Sequence, residues 1–145
     1  MSEQMSQAEI EEYLALANED LTAAQDNLRF GHLRAAVSRA YYAMFYASTA
    51  LLGSQGLWRS KHQGLIAAFG EHFVKTGLIE PQYGRILHDA FEARLDSDYG
   101  LNPDLTEASA QQLISNATSF VERLAQSLQP DQGDEAEHDT DEHLG

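Results

Sequence analysis

The stretch Ser38-Arg39-Ala40-Tyr41-Tyr42-Ala43-Met44-Phe45-Tyr46-Ala47 constrains the fold of this chain more than any other. Ala36, Ala40, Ala43, Ala47 and Ala50 recur at helical spacing, and such a row of small side chains lets a second helix approach closely. Tyr42, Phe45, Tyr46 and Thr49 form a bulkier row with hydroxyls beside it. Arg39 is the lone cation on this surface. A guanidinium buried without a partner costs too much, so Arg39 requires a carboxylate or an anionic ligand from elsewhere.

The rest of the chain reads as helices packed around that segment. Of the 145 residues 43% are hydrophobic, enough for one core, and no segment alternates with period two. Ser6-Gln7-Ala8-Glu9 is a capping box, followed at three-and-four spacing by Ile10, Tyr13, Leu14, Ala17, Leu21, Ala24 and Leu28. Gly31 ends this first helix and the second starts near His32, so the two form a tight antiparallel hairpin. The Gly53–Arg59 segment is irregular, and its two glycines permit backbone mobility. Ser60-Lys61-His62-Gln63 reads as a second capping box, opening a third helix that runs through Val74 to Gly77. Pro81 suits the first turn of a fourth helix, and Thr106-Glu107 opens a fifth that Pro130 ends. The fold expected is all-α, an antiparallel, up-and-down bundle of four or five helices spanning residues 1–130.

Charge and composition exclude several functions. The formal charge is −14, but residues 131–145 hold seven acids and no Lys or Arg, which leaves −7 on residues 1–130. This acidic tail, poor in apolar residues, reads as disordered. The balance disfavours broad non-specific binding to nucleic acid while leaving room for a local basic site. The chain has no cysteine, hence no thiolate metal site or Cys nucleophile. His32, His72 and His88 fall on different helices without metal-ligand spacing, so neither a metal nor a cofactor is expected. Met1–Ile10 lacks the pattern of a signal peptide, and Ala40–Leu52 is too short to span a bilayer. A soluble, cytoplasmic protein is the expectation.

Two groups of residues carry chemical potential. In Arg94-Leu95-Asp96-Ser97-Asp98-Tyr99, Arg94 and Asp98 are four apart on one helical face and can pair. Asp98 gains little from the negative end of its own helix, so a cation from another helix is expected beside it, with Arg39 the candidate. The plain structural alternative is an Arg39–Asp98–Arg94 network that fixes helix register. In Trp58-Arg59-Ser60-Lys61-His62, three basic residues stand at a helix N-terminus, which favours anions, and Trp58 can stack on a base. The alternative there is a capped helix with ordinary exposed bases and a Trp packed on the bundle.

The runs AAVSRAYYAMFYASTALL, SKHQGLIAAFGEHFVKTGLI and FEARLDSDYG, in this order, resemble the HEPN family, over roughly residues 8 to 128. That resemblance implies a helical bundle that usually dimerises. It implies either a metal-independent RNase with an Arg-x4-6-His motif, or the partner of a minimal nucleotidyltransferase that modifies a nearby Tyr, as toxin and antitoxin. Arg94 matches the motif Arg, but no His follows it within the motif's spacing. Asp98 and Tyr99 stand where the His and the modified Tyr would be. The resemblance thus assigns Arg94, Asp98 and Tyr99 to the catalytic region, while the reading of the residues themselves offers Arg39, Lys61 and His62 for binding phosphate of nucleotide or RNA. The expected partners are a minimal nucleotidyltransferase and a second copy of the chain. The alternatives are an active endoribonuclease drawing on Asp98, Tyr99 or His62, and a structural interaction module.

Overall fold

A computed structural model describes residues 3–98, 100 and 104–130. The proposed acidic tail at 131–145 and the proposed site residue Tyr99 lie outside the described residues. The elements are α1 (Gln7–Arg29), α2 (Leu33–Ser54), α3 (His62–Phe69) continued by one π-helical turn (Gly70–Val74), α4 (Pro81–Asp98) and α5 (Glu107–Ser127). Among the described residues there is no strand, and no helix is long and apolar enough to cross a membrane. The fold is an all-α bundle, as the periodicity requires.

Local signals set most of the boundaries. Ser6 caps α1 reciprocally with Glu9, satisfying two otherwise orphaned backbone donors. Gly31, at φ 79°, closes α1, and the His32 N–H bonds back to the Asn27 carbonyl at 2.8 Å. Thr106 and Ser109 make the corresponding box at the start of α5. One signal misled: α3 starts at His62 with Lys61 as its N-cap, and no side chain caps it, so Ser60 plays no such part. Gly53 also differs from expectation. It is a buried residue of α2, its carbonyl takes the Met5 N–H at 2.8 Å, and a Cβ there would overlap the Met5 side chain. Close approach of the chain's start, rather than mobility, accounts for this glycine.

Helix α2 is the hub, packing on α1, α3, α4 and α5, most extensively on α1. All five alanines of its small-residue row are fully buried, which is what the close α1–α2 pairing demands. The ends show that neighbours alternate in direction. Arg34 at the start of α2 reaches the Ser97 carbonyl at the end of α4, and Arg123 near the end of α5 reaches Glu80 just before α4. The core fills in with Met44, Leu52, Leu65, Phe69, Leu87, Ile114, Phe120 and Leu124. Each large apolar side chain withdrawn from water contributes roughly 1.5–3 kcal/mol.

Candidate functional site at the junction of α2, α3 and α4

The aromatic row of α2 forms a floor where the start of α3 and the last turns of α4 converge. His62, the first residue of α3, lies nearly parallel to Phe45, with ring centroids 4.5 Å apart and 24° between planes. Tyr41 and Phe91 also stack on it at 5.6 and 6.2 Å, and Tyr42 meets it edge-on at 5.8 Å. The hydroxyl of Tyr41, a wholly buried residue, is 2.6 Å from His62 Nδ1. Burial raises the Tyr41 phenol well above its usual value. Burial, and then the Arg94 charge, push the His62 imidazole below its usual value, so the ring is neutral at physiological pH.

Arg94 arrives from α4. Its guanidinium carbon lies 5.4 Å from the Tyr42 ring centre and 5.8 Å from that of Tyr41, within cation–π range of both. His62 and Arg94 therefore flank the same two rings, although 31 positions separate them in sequence. Arg94 Nε stands 2.9 Å from Asp98 Oδ2, the pairing their spacing suggested. The alignment is too poor for a hydrogen bond, so Nε remains a buried donor without one, and the contact is one of charge. Asp98 itself is exposed.

The expected Arg39–Asp98 contact is absent. Arg39 Nη1 donates instead to Asp20 Oδ1 on α1, at 3.0 Å. The buried member of that pair is the acid: the Asp20 side chain is 12% exposed against 40% for Arg39. Burial raises the Asp20 carboxyl, and Arg39 offsets only part of that shift. Arg39 nonetheless stays beside the site, because its guanidinium lies 5.1 Å from the same Tyr42 ring that Arg94 contacts. The cation expected at the end of α4 is Arg34, and it serves the backbone rather than the Asp98 carboxylate. Its Nε donates to the Ser97 carbonyl at 2.7 Å and its Nη2 to that of Asp98 at 3.3 Å, satisfying acceptors a helix C-terminus leaves open.

The second group is only partly drawn in. Lys61 is exposed beside His62, whereas Arg59 folds back on the carbonyls of Leu57 and Trp58. Trp58 is 51% exposed, so it is not a packed core residue. Sequence reading overlooked Asp20, Arg34 and the Tyr41–His62 bond. Among the described residues no cluster of three His, Cys, Asp or Glu could hold a metal.

Comparison with known proteins places the whole bundle. The HEPN domain matches residues 10–128, all five helices apart from the first turn of α1. The chain belongs to the HEPN family. A Methanocaldococcus jannaschii protein named "Putative toxin" is 39% identical over 120 residues, covering 83% of this chain and 89% of the relative. A UPF0332 protein of Thermotoga maritima is 37% identical over 120 residues, 83% of this chain and 91% of its own length. A second M. jannaschii protein named "Putative toxin" is 27% identical over 120 residues, 83% of this chain and 82% of the relative. Within the matched region, Arg94 of α4 and the His62 imidazole of α3 meet over the same Tyr41 ring.

Proposed function

We propose that this chain is a toxin-type HEPN protein that holds a phosphate group of RNA or of a nucleotide, and that it acts in the cytoplasm, as a homodimer, beside a minimal nucleotidyltransferase. The observation that carries this reading is the meeting of Arg94 and His62 over Tyr41 and Tyr42. A guanidinium and a neutral imidazole over aromatic rings supply charge, hydrogen-bond donors and a stacking surface, which together suit a nucleotide. Arg39 adds a second cation over the Tyr42 ring, and Lys61 adds one beside His62. Asp98 restrains the Arg94 guanidinium, and Tyr99 follows it in the position of the family's modified residue. The toxin names of two relatives support the same class.

The test has two arms. A short single-stranded RNA should bind the purified protein, and Arg94→Ala should weaken it by about tenfold or more while the fold is retained. A nucleotidyltransferase encoded by the adjacent gene should co-purify with the chain. If neither that gene nor a pull-down supplies one, the partnership fails.

The imidazole beside Arg94 also favours a second reading, a metal-independent endoribonuclease in which His62 stands in for the motif His. RNA left intact by the purified protein in the absence of any partner, with harmless expression in cells, would remove it.

A further inference from the structure

Tyr41 is wholly buried, and a buried phenol has to place its proton on an acceptor. Among the described residues that acceptor is His62 Nδ1, 2.6 Å away. Were the imidazole the donor, the Tyr41 O–H would be left in an apolar interior without a partner. With the phenol as donor both groups are satisfied, and the ring carries its single proton on Nε2. The stacked rings of Phe45 and Phe91 hold the imidazole in plane, and turning it over would replace Nδ1 by a carbon and break the bond. Nε2 has no protein acceptor among the described residues, and it is not one of the buried polar atoms left without a partner. Among the described residues, neither a bond nor complete burial closes Nε2 to a ligand. The same holds for both Nη groups of Arg94.

We propose that Tyr41 is a positioning residue whose hydroxyl, by donating to Nδ1, holds His62 as a neutral Nε2–H donor that hydrogen-bonds a phosphate oxygen beside the Nη groups of Arg94. This rests on the phosphate-binding reading above and narrows it: His62 binds and does not abstract a proton. The lone pair on Nδ1 is engaged by Tyr41, and a protonated Nε2 has none to offer a 2′-hydroxyl. Protonating Nδ1 would reverse the Tyr41 bond, leave the phenol O–H without an acceptor and put a cation beside Arg94 at the positive end of α3. The residue that reads as a replacement for the family's missing His is thus held as its chemical complement, a donor.

The experiment uses the full chain labelled with 15N. At neutral pH a long-range proton–nitrogen correlation spectrum should show His62 with a protonated Nε2 and a bare Nδ1, and Tyr41→Phe should give a mixture of tautomers. A wild-type Nδ1–H tautomer, an imidazolium, or an unchanged spectrum in Tyr41→Phe overturns the proposal. The binding half uses a 5′-phosphorylated RNA tetranucleotide and inorganic phosphate as probes. Glutamine places its amide nitrogen near the position of Nε2, and asparagine near that of Nδ1. His62→Gln should therefore keep affinity within about threefold, while His62→Asn and His62→Ala lose about tenfold. A His62→Gln protein as weak as His62→Ala overturns the donor role. Wild-type protein that binds neither probe overturns the phosphate reading itself, and the tautomer spectrum then separates that failure from a failure of Tyr41 to position the ring.

Discussion

Arg94 and Arg123 are buried to nearly the same degree, with side chains 20% and 22% exposed, and their donors are used in opposite ways. Arg123 spends almost everything it has. Nε donates to Glu80 Oε1 at 2.8 Å, Nη1 to Ser127 Oγ at 2.8 Å, and Nη2 to the Leu78 carbonyl and Glu80 Oε2. It ties the start of α4 to the end of α5, a structural task. Arg94 has one charged contact, poorly aligned, and its Nη groups find no acceptor among the described residues. On the phosphate-binding reading proposed above, those Nη groups are the donors that a phosphate oxygen would take.

The contrast can be broken most decisively with Arg94→Ala and Arg123→Ala side by side. Arg94→Ala should cost about tenfold to a hundredfold in RNA affinity, the range for losing charge-assisted hydrogen bonds, and little in melting temperature. Arg123→Ala should show the reverse, unchanged affinity and a Tm lower by a few degrees. Equal loss of stability in the two variants would dissolve the distinction. A smaller effect sharpens it. Asp98→Asn keeps the side chain's shape and removes the charge facing Arg94, so affinity should rise by roughly twofold to fivefold. A fall would mean that Asp98 orients Arg94 for the ligand rather than competing with it.

The Arg123 staple also has a pH signature. Its hydrogen bond to Glu80 is the main reason the Glu80 carboxyl titrates below its usual value. A carboxyl whose folded pKa is depressed contributes stability above its unfolded value and loses it as pH falls through the folded one. The Tm gap between wild type and Arg123→Ala should therefore narrow on acidification below the unfolded value of 4.5. A constant gap would assign the staple to the carbonyl and hydroxyl contacts instead.

Periodicity made the helices and their order legible, because amphipathic spacing, capping boxes and terminal glycines are local properties of the chain. The site was half legible. Arg94 and His62 stood in separate motifs, and nothing in linear spacing says that the start of α3 and the end of α4 meet over Tyr41 and Tyr42. The partner of Arg39 could have been found. Asp20 sits inside the apolar stripe of α1, between Ala17 and Ala24, where an acid requires a cation. In a hairpin turning at Gly31, positions about ten residues either side come together, which puts Asp20 opposite Arg39. The Arg94–Asp98 spacing points to Asp98, whereas the hairpin register points to Asp20.

The smallest expected effect bears most directly on what kind of site this is. The His62 imidazole titrates below its unfolded value of 6.5, chiefly through burial and then through the Arg94 charge. As pH falls through 6.5 the unfolded chain takes up a proton that the folded chain resists, so stability falls on acidification and levels off below the folded value. Asp20 and Glu80 remain in a His62→Gln variant, so subtracting that variant isolates the imidazole. Between pH 7 and 5 the wild-type Tm should drop relative to His62→Gln, by about a degree or two for one titrating group. A wild type that gains on the variant over that window would mean that the fold favours an imidazolium. The floor of α2 would then carry two adjacent cations, and the difference between Arg94 and Arg123 would reflect repulsion from His62 as much as readiness for a ligand.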